Sequence, residues 1–492
     1  MTHRPASLML AGTASVLALT ALAAAPARAD DLREALAAAY NTNPTLEAAR
    51  DTQRATDEGV AITRAQGRPT LNVTATHIEF IQQSANAFTA PERNLSISPQ
   101  LLVPVYSGGA IRNNIRAARE RVEAGQADLR NTESTLFSQV VAAYMDVLRT
   151  EALVALATNN VAVLRTNLEA TSDRFQIGDL TITDVAQSRS RLALAEGDLQ
   201  GAEANLIAAR EAYIRLVGQA PGDLDAPPPL PGLPDTVGEA IVSALENNPN
   251  LDAAKQRAEA AGYDTEVAGA GRLPTVSLFV NGEYSDFFGT LGGPVAAQFA
   301  QSEKTANAGV RVTIPLFQGG LPAARQRQAG ARESAALEDV IAAERQLIAE
   351  TRSTYANWQA ANAVIKSAQA AVEAAELSLE GLRAENSIGN RQILDVLNGE
   401  QELVNARAQL VTARRNAYVA GFTLLALMGK AEARDLNLDV GGPLYDPEFN
   451  ARRVRRKLND WDRDPEPAPD STRTVDIPPA TATIGPQLLP GE

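Results

Sequence analysis

The chain has 492 residues and a formal net charge of −14, it contains no cysteine, and its two histidines are His3 and His77. Without cysteine it cannot form disulfides, thiolate metal sites or a lipid-modified N-terminal cysteine. With only two histidines, catalysis by an imidazole side chain is improbable. The net negative charge argues against nucleic acid as a partner, because binding phosphates requires a basic surface. We therefore expect no enzyme: no catalytic residue, no metal site and no cofactor.

Residues 1–29 have the pattern of a secretory signal peptide. A basic start precedes an apolar stretch, and Ala27, Arg28 and Ala29 form an A-x-A cleavage site. Cleavage there predicts a mature chain that begins at Asp30. A retained membrane anchor is the alternative, which the alanine- and threonine-rich stretch and its small terminal residues disfavour.

A helix and a pair of strands are predicted next. Asn43 and Pro44 form a cap followed by proline at the first helical position, and helical periodicity continues to about Gly67. Alternation of apolar and polar residues then predicts a strand pair over about 69–106. Strands of about ten residues have the length that crosses a bilayer at a tilt. Solvent-exposed hairpins on a soluble protein are the alternative that alternation alone leaves open.

Two longer helices follow the strands. After Gly108 and Gly109 a helical pattern of about 69 residues, roughly 100 Å long, ends at "FQIGDLTITDV", Phe175–Val185. Its Gly178 suits a helix end that needs a positive φ. A shorter helix of roughly 55 Å is predicted over Thr183–Val217. The low aromatic content of 4% and the abundant alanine favour helices packed closely through small side chains.

The second half of the chain repeats the first. "REALAAAYNTNPTLEAA" at Arg33–Ala49 returns as "GEAIVSALENNPNLDAA" at Gly238–Ala254, an offset of 205 residues. Gly178 corresponds to Gly389, in "ENSIGNRQILDV", at an offset of 211 residues. Because the offset grows from 205 to 211 along the chain, copy two contains six extra residues. The match predicts a tandem duplication. Its parts are repeat 1 over 30–218, a proline-rich linker over 219–236, and repeat 2 over 237–430 with a strand pair over about 274–317.

This order of elements indicates an α+β fold made mainly of long α-helices. In each copy the summed length of the two shorter helices is nearly the length of the long helix, so the two can stack end to end and pack along it. Four strands cannot close a barrel, and open sheet edges cannot lie in lipid, so membrane-spanning strands would require several chains. A structural or adhesive coiled-coil surface protein is the alternative, but it leaves the strand pairs and the duplication unexplained.

The C-terminal tail, residues 446–492, has a different composition. A short basic helix is predicted first, in "RRVRRKLNDW", and a proline- and acid-rich end follows. Such a composition offers too few apolar side chains to bury, so we expect this end to be disordered.

Together these features resemble the TolC-like outer-membrane efflux and type I secretion channels, in their non-lipidated branch. The resemblance covers about Asp30 to Leu438 and rests on the duplicated Asn-Pro-x-Leu motif, the strand pairs, the Gly-Gly helix starts and the Ile-Gly turns followed by "LDVLNGEQELVNARAQL". It implies a homotrimer in which each chain gives four strands to a shared 12-stranded β-barrel above a periplasmic α-helical barrel. A belt around the helices would include an equatorial segment, residues 431–445.

The resemblance also implies a location and a function. Such a channel lies in the outer membrane of a Gram-negative bacterium, in contact with its lipid, and extends into the periplasm. It conducts drugs, other small molecules or secreted proteins from an inner-membrane pump of the RND or ABC type. A periplasmic adaptor protein opens it at the periplasmic tip, where Gly178 and Gly389 mark the turns to which the adaptor docks.

By the same resemblance, Asp395 and Asn398 would form the pore constriction. The family has acids at both positions, so this chain departs from the pattern at Asn398. By threefold symmetry the ring charge would be about −3 rather than −6, which weakens cation capture. The alternative is that Asp395 is simply an acid in the first turn of a helix.

The resemblance further implies polar links that close the tip between the two repeats. The matching residues are Thr183 and Asp184 in copy one and Arg391 in copy two. Asn386 stands where the family has a tyrosine, so this chain departs from the pattern at that link. An exposed Asp–Arg pair contributes only about 0–1 kcal/mol, which suits a reversible gate. The alternative is that Arg391 is a solvated charge at the tip.

Overall fold

The computed structural model describes residues 31–83, 90–438 and 443–484, so the predicted signal peptide lies outside the described residues. Copy one consists of two short helices, two strands, one long helix and one shorter helix. These elements are α1 (Leu32–Thr42), α2 (Pro44–Ala65), β1 (Thr70–Glu79), β2 (Arg93–Ser107), α3 (Ala110–Gln176) and α4 (Ile182–Val217).

Copy two has the same elements in the same order, which confirms the tandem repeat. They are α5 (Val237–Asn247), α6 (Pro249–Ala270), β3 (Thr275–Asp286), β4 (Ser302–Thr313), α7 (Leu321–Ser387) and α8 (Ile393–Leu427). A short 3-10 helix, Gly293–Gln298, lies between β3 and β4, within the stretch from Pro274 to Pro315 that contains the extra residues of copy two. A further helix, α9 (Pro447–Val454), follows in the tail. Within the described ranges, no helix is both long enough and apolar enough to span a membrane.

The four strands form one antiparallel sheet in the order β1-β2-β3-β4. Its register brings the apolar positions of all four strands onto one face, in rows such as Leu71, Leu101, Val280 and Ala308. The opposite face carries a row of amides, Asn72, Gln100, Asn281 and Asn307. The apolar face is open to the surroundings, since Leu71 is 67% exposed. The sheet therefore has one apolar and one polar face, as the alternation predicts.

Equivalent prolines act differently in the two strand pairs. Pro104 lies inside β2, where the register with β3 shifts between Pro104 and Tyr106. Pro315 instead follows the end of β4 at Thr313, so the strand is shorter than the predicted pair over 274–317. Proline lacks an amide hydrogen for the ladder, so a strand accommodates it at an irregularity or ends before it.

The duplicated asparagines join the short helices end to end. Asn43 Oδ1 accepts from the amide of Thr45 in α2, while its Nδ2 donates to the carbonyl of Leu216 in α4 at 2.9 Å. Asn248 does the same in copy two and donates to Leu427 O of α8 at 3.0 Å. One side chain thus satisfies an amide at the start of one helix and a carbonyl at the end of another. This arrangement confirms the predicted stacking of the shorter helices.

Equivalent tyrosines hold the linker against the two long helices. Tyr144 of α3 and Tyr355 of α7 each donate a hydroxyl hydrogen bond of 2.7 Å to a linker carbonyl, those of Asp225 and Asp235. Tyr144 is fully buried in the main apolar cluster beside Phe137. At both places a tyrosine serves because its hydroxyl lets a packed ring bind a backbone carbonyl.

The tail differs from the expected disordered end. Ala480 N donates to Glu211 Oε1 of α4 at 2.8 Å, and Arg210 of α4 donates to the carbonyls of Thr481 and Thr483. Composition predicts disorder because the tail has little apolar surface to bury. Its backbone groups nevertheless find charged partners on a helix that is already folded. The described part of the tail, through Ile484, therefore lies against α4.

A half-buried acid binds the segment after α8. Glu133 of α3 accepts a hydrogen bond from the amide of Ala433. Burial raises the pKa of Glu133 from 4.5 to about 7, although the amide of Ala433 partly opposes the shift and the nearby Glu432 adds to it. The folded chain therefore binds a proton on Glu133 between pH 4.5 and about 7 that the unfolded chain does not.

The free energy of unfolding is expected to fall as the pH rises through this window. Outside the window, Glu133 should contribute no pH dependence to it. Because one pKa unit corresponds to about 1.4 kcal/mol, the effect is on the order of 3 kcal/mol. Glu133→Gln keeps an acceptor for Ala433 but cannot ionise. The melting temperature of the variant should therefore be higher than that of the wild type at pH 8 and equal to it at pH 4.5. Melting temperatures in detergent at several pH values measure this, and parallel curves would contradict it.

Candidate functional site at the tip of the helical hairpins

The two tip turns share one backbone geometry. α3 and α7 end just before Gly178 and Gly389, whose φ angles are +86° and +82°. A residue without Cβ adopts this left-handed conformation at no steric cost, so the predicted backbone role of both glycines is confirmed. Adaptor docking at the turns stays a prediction. In each turn the amide after the glycine donates to the preceding helix, Asp179 N to Arg174 O at 2.9 Å and Asn390 N to Glu385 O at 3.0 Å.

The first turn of α4 is closed by a reciprocal cap. Asp184 Oδ2 accepts hydrogen bonds from the amide of Thr181 at 2.9 Å and from its hydroxyl at 2.7 Å. In return, the Thr181 hydroxyl accepts from the amide of Asp184. Hydrogen bonds to the charged form lower the pKa of Asp184, so its carboxylate stays ionised at neutral pH. The neighbouring Thr183 is exposed at the start of α4.

Arg391 is engaged within its own turn. Its Nε donates to Glu385 Oε2 at 2.7 Å, and its Nη1 lies 4.0 Å from Asp395 Oδ2. Asn386 Nδ2 donates to the carbonyl of Arg391 at 2.8 Å, which holds the turn together. Among the described residues of this one chain, no hydrogen bond or ion pair joins Arg391 to Asp184. The predicted link between the repeats at these residues therefore stays a prediction.

Asp395 and Asn398 lie three residues apart at the start of α8, so their side chains share one helix face. The Asp395 side chain is 40% exposed, and Asn398 is exposed. A carboxylate in the first helical turn is favoured by the helix dipole. It does not act as a reciprocal cap, because Gln392, the residue before α8, has no side-chain cap bond. The carboxylate thus remains open to solvent on that face, and its place in a pore ring stays a prediction.

The structure adds a contact that the sequence did not predict. Arg191 Nη2 of α4 donates to Asn398 Oδ1 of α8 at 2.8 Å, which connects the tips of the two repeats. Nothing in the local pattern around Arg191 indicates this partner, since the two residues are 207 positions apart. The only available signal was the amide at Asn398, a group able to accept from a cation where the family pattern has an acid.

Apolar packing beneath this contact fixes the two hairpins together. Leu397 of α8 is 1% exposed and packs against Val161 and Leu164 of α3 and against Ala195 of α4. Its neighbour Val396 packs on the other side, in a cluster with α7. The apolar pair thus fills both interfaces of α8, while the polar residues of the same turn face outward. A change in how the hairpins pack would therefore move Asp395 and Asn398.

Long helical hairpins, a four-stranded sheet and paired glycine turns at one end define the class of TolC-like channels. The sequence profile of the outer membrane efflux proteins matches residues 35–219 and 240–430, so the chain belongs to this family. It is accordingly an exit channel of the outer membrane of a Gram-negative bacterium, and the family is one of channels rather than enzymes.

Individual proteins agree with this assignment. The chain is 31% identical over 448 residues to the outer membrane efflux protein BepC of Brucella suis, covering 91% of this chain and 95% of that protein. It is 26% identical to the outer membrane protein TolC of Vibrio cholerae, covering 85% and 94%. The crystal structure of the outer membrane channel CmeC of Campylobacter jejuni shares the fold, with a TM-score of 0.72, 16% identity and coverage of 87% and 90%. These relatives support the channel and not the structural or adhesive alternative.

Proposed function

We propose that three copies of the chain share one barrel in the outer membrane, and that a periplasmic adaptor opens the tunnel at its tip. The observation that carries the proposal is the sheet, which has one apolar face and one polar face. Within the described ranges, the outer edges of its edge strands β1 and β4 have no partner strand. An open edge cannot lie in lipid, because its amide and carbonyl groups would have no hydrogen bonds. Identical neighbours would pair β4 of one chain with β1 of the next and so close the sheet.

The names of relatives support a range of cargo. They include a cobalt-zinc-cadmium resistance protein, a fusaric acid resistance protein and an alkaline protease secretion protein. The chain would conduct small molecules or secreted proteins that an inner-membrane pump of the RND or ABC type delivers. A duct shared by several pumps needs no selective pocket of its own, so its properties would be decided at the narrowest point.

That point would be the tip, where Asp395 and Asn398 line the constriction and the turns at Gly178 and Gly389 receive the adaptor. Polar links between Thr183 or Asp184 in copy one and Arg391 in copy two would keep the tip closed, with Asn386 bracing the turn. Exposed ion pairs of this kind contribute about 0–1 kcal/mol each, so the binding of an adaptor can offset three of them.

Two neighbouring positions on β3 test the assembly. Val280 lies on the apolar face and Asn281 on the polar face. Val280→Arg should lower the amount of trimer in outer-membrane fractions, because an arginine facing lipid costs about 2–4 kcal/mol near the middle of the bilayer. Asn281→Arg places the same side chain toward the wet interior and should leave the amount of trimer as in the wild type.

The measurements are crosslinked trimer in membrane fractions and single-channel conductance of the purified protein in planar bilayers. Equal loss of trimer in both variants would contradict the assignment of the two faces. Because the proposed links keep the tip closed without an adaptor, Asp184→Ala with Arg391→Ala should raise the conductance, and a purified trimer that does not conduct even with both changes would overturn the channel itself.

A further inference from the structure

A cationic side chain lies beside the predicted constriction. The guanidinium of Arg191 is 2.8 Å from Asn398 Oδ1, and Asp395 lies one helical turn away on the same face of α8. Since one turn rises about 5.4 Å, Arg191 and Asp395 share one small region of the tip. Because Asn398 is neutral, Arg191 is held there by a hydrogen bond to an uncharged partner, and its charge is not cancelled at that contact.

Most other arginines of this region have acids of their own. Arg189 of α4 is exposed and has no ion pair among the described residues, but residues two apart on a helix point to different faces, so it does not share the face of Arg191. Arg191 makes no ion pair within the described ranges, and Asp395 has only the 4.0 Å contact with Arg391, which Glu385 already engages at 2.7 Å. The carboxylate of Asp184 accepts from Thr181 and stays charged, but it lies seven residues before Arg191, about 10 Å along α4 by the helical rise, and so outside the contact with Asn398. The paired arginines around the tip are Arg165 with Glu196, Arg174 with Asp179, Arg383 with Glu400, and Arg391 with Glu385.

We propose that Arg191 is a specificity-determining residue that neutralises the constriction, so that the channel admits anionic solutes as readily as cationic ones. Each chain contributes one acid, Asp395, and one cation, Arg191, and Asn398 adds no charge. Three chains therefore carry a net ring charge of about zero, whereas a ring of acids alone would repel anions. The inference rests on the proposed function, because it needs the face of Asp395 to line a trimeric pore.

The test is the reversal potential of the purified trimer in planar bilayers under a potassium chloride gradient. The wild type should show a ratio of potassium to chloride permeability near one. Arg191→Gln removes the charge but keeps a donor for Asn398, and it should raise this ratio by about threefold or more. Arg191→Lys keeps the charge and should behave as the wild type.

Arg165→Gln is the matched control, because Arg165 lies in the same hairpin but is already paired with Glu196 and is 65% exposed. It should leave the permeability ratio within the scatter of the wild type. An unchanged ratio in Arg191→Gln would overturn the proposal, and so would a shift in Arg191→Lys equal to that in Arg191→Gln.

The wild-type ratio keeps the proposal testable even if Arg191→Gln does not assemble, since a strongly cation-selective wild type would overturn it alone. Failure of the proposed function gives a different result, namely a protein without conductance even when Asp184→Ala and Arg391→Ala remove the proposed closing links.

Discussion

Arg210→Ala is expected to destabilise the folded chain by about 3–5 kcal/mol, the cost of leaving one partner of a buried ion pair uncompensated. Arg210 of α4 donates through Nη2 to Glu151 Oε1 of α3 at 2.6 Å, and the two side chains are only 14% and 10% exposed. Its Nη1 donates to the carbonyls of Thr481 and Thr483 at 2.6 and 2.9 Å. The variant therefore loses the link between α3 and α4 and the anchor of the tail together.

Arg165→Ala is the matched control for this loss. Arg165 and Glu196 also join α3 and α4, at 3.0 Å, but both side chains are well exposed. An exposed pair contributes about 0–1 kcal/mol, so the melting temperature should hardly change. Thermal unfolding in detergent, followed by circular dichroism, compares the two variants. Limited proteolysis should also cut the tail faster in Arg210→Ala than in Arg165→Ala, and equal behaviour in both assays would refute the anchoring role.

Gly429→Ala is expected to cost about 3 kcal/mol or more. Gly429 follows α8 with φ +67°, a conformation in which a side chain costs roughly 1–2 kcal/mol. A Cβ would also lie 2.7 Å from the carbonyl carbon of Asn247 and still nearer to its oxygen. Backbone cannot rotate away as a side chain can, so α5 and the junction of α8 with α6 would have to shift, adding about 1–3 kcal/mol.

Gly389→Ala is the control that separates the cost of a side chain at positive φ from the cost of a steric clash. Gly389 has a similar φ of +82°, but no atom lies within 4 Å of the position of its Cβ. Only the conformational cost of roughly 1–2 kcal/mol applies there. The melting temperature should therefore fall clearly less than in Gly429→Ala. Equal shifts in the two variants would show that the contact with Asn247 does not limit this junction.

The duplicated Asn-Pro motif shows how far a local pattern reaches. Position and residue type predict a helix cap at Asn43, because an asparagine oxygen accepts from an amide two residues ahead. The second bond of the same side chain, to Leu216 O, joins residues 173 positions apart. No local pattern states which carbonyl will lie there, so the double role of the motif becomes visible only once the helices are stacked.

The tip shows the same limit at the candidate site. A glycine after a long helix predicts a left-handed turn at Gly178, because that conformation depends on a single residue. The partner of Arg191 depends instead on how α4 lies against α8, which buried residues such as Leu397 decide. The sequence indicated that Asn398 departs from an acidic pattern, but it did not indicate that the side chain of Arg191 would bind there.

By itself, the sequence determined the duplication, the helices and strands, the two faces of the sheet and the glycine turns. Each of these follows from periodicity or from the conformational preference of one residue, which are local properties. Only the tertiary structure decided the contacts between distant segments: the Arg191–Asn398 link, the arginine anchor of the tail and the half-buried acid that binds the amide of Ala433. Such contacts depend on how far each helix is shifted and rotated against its neighbour, and many small side chains set this together.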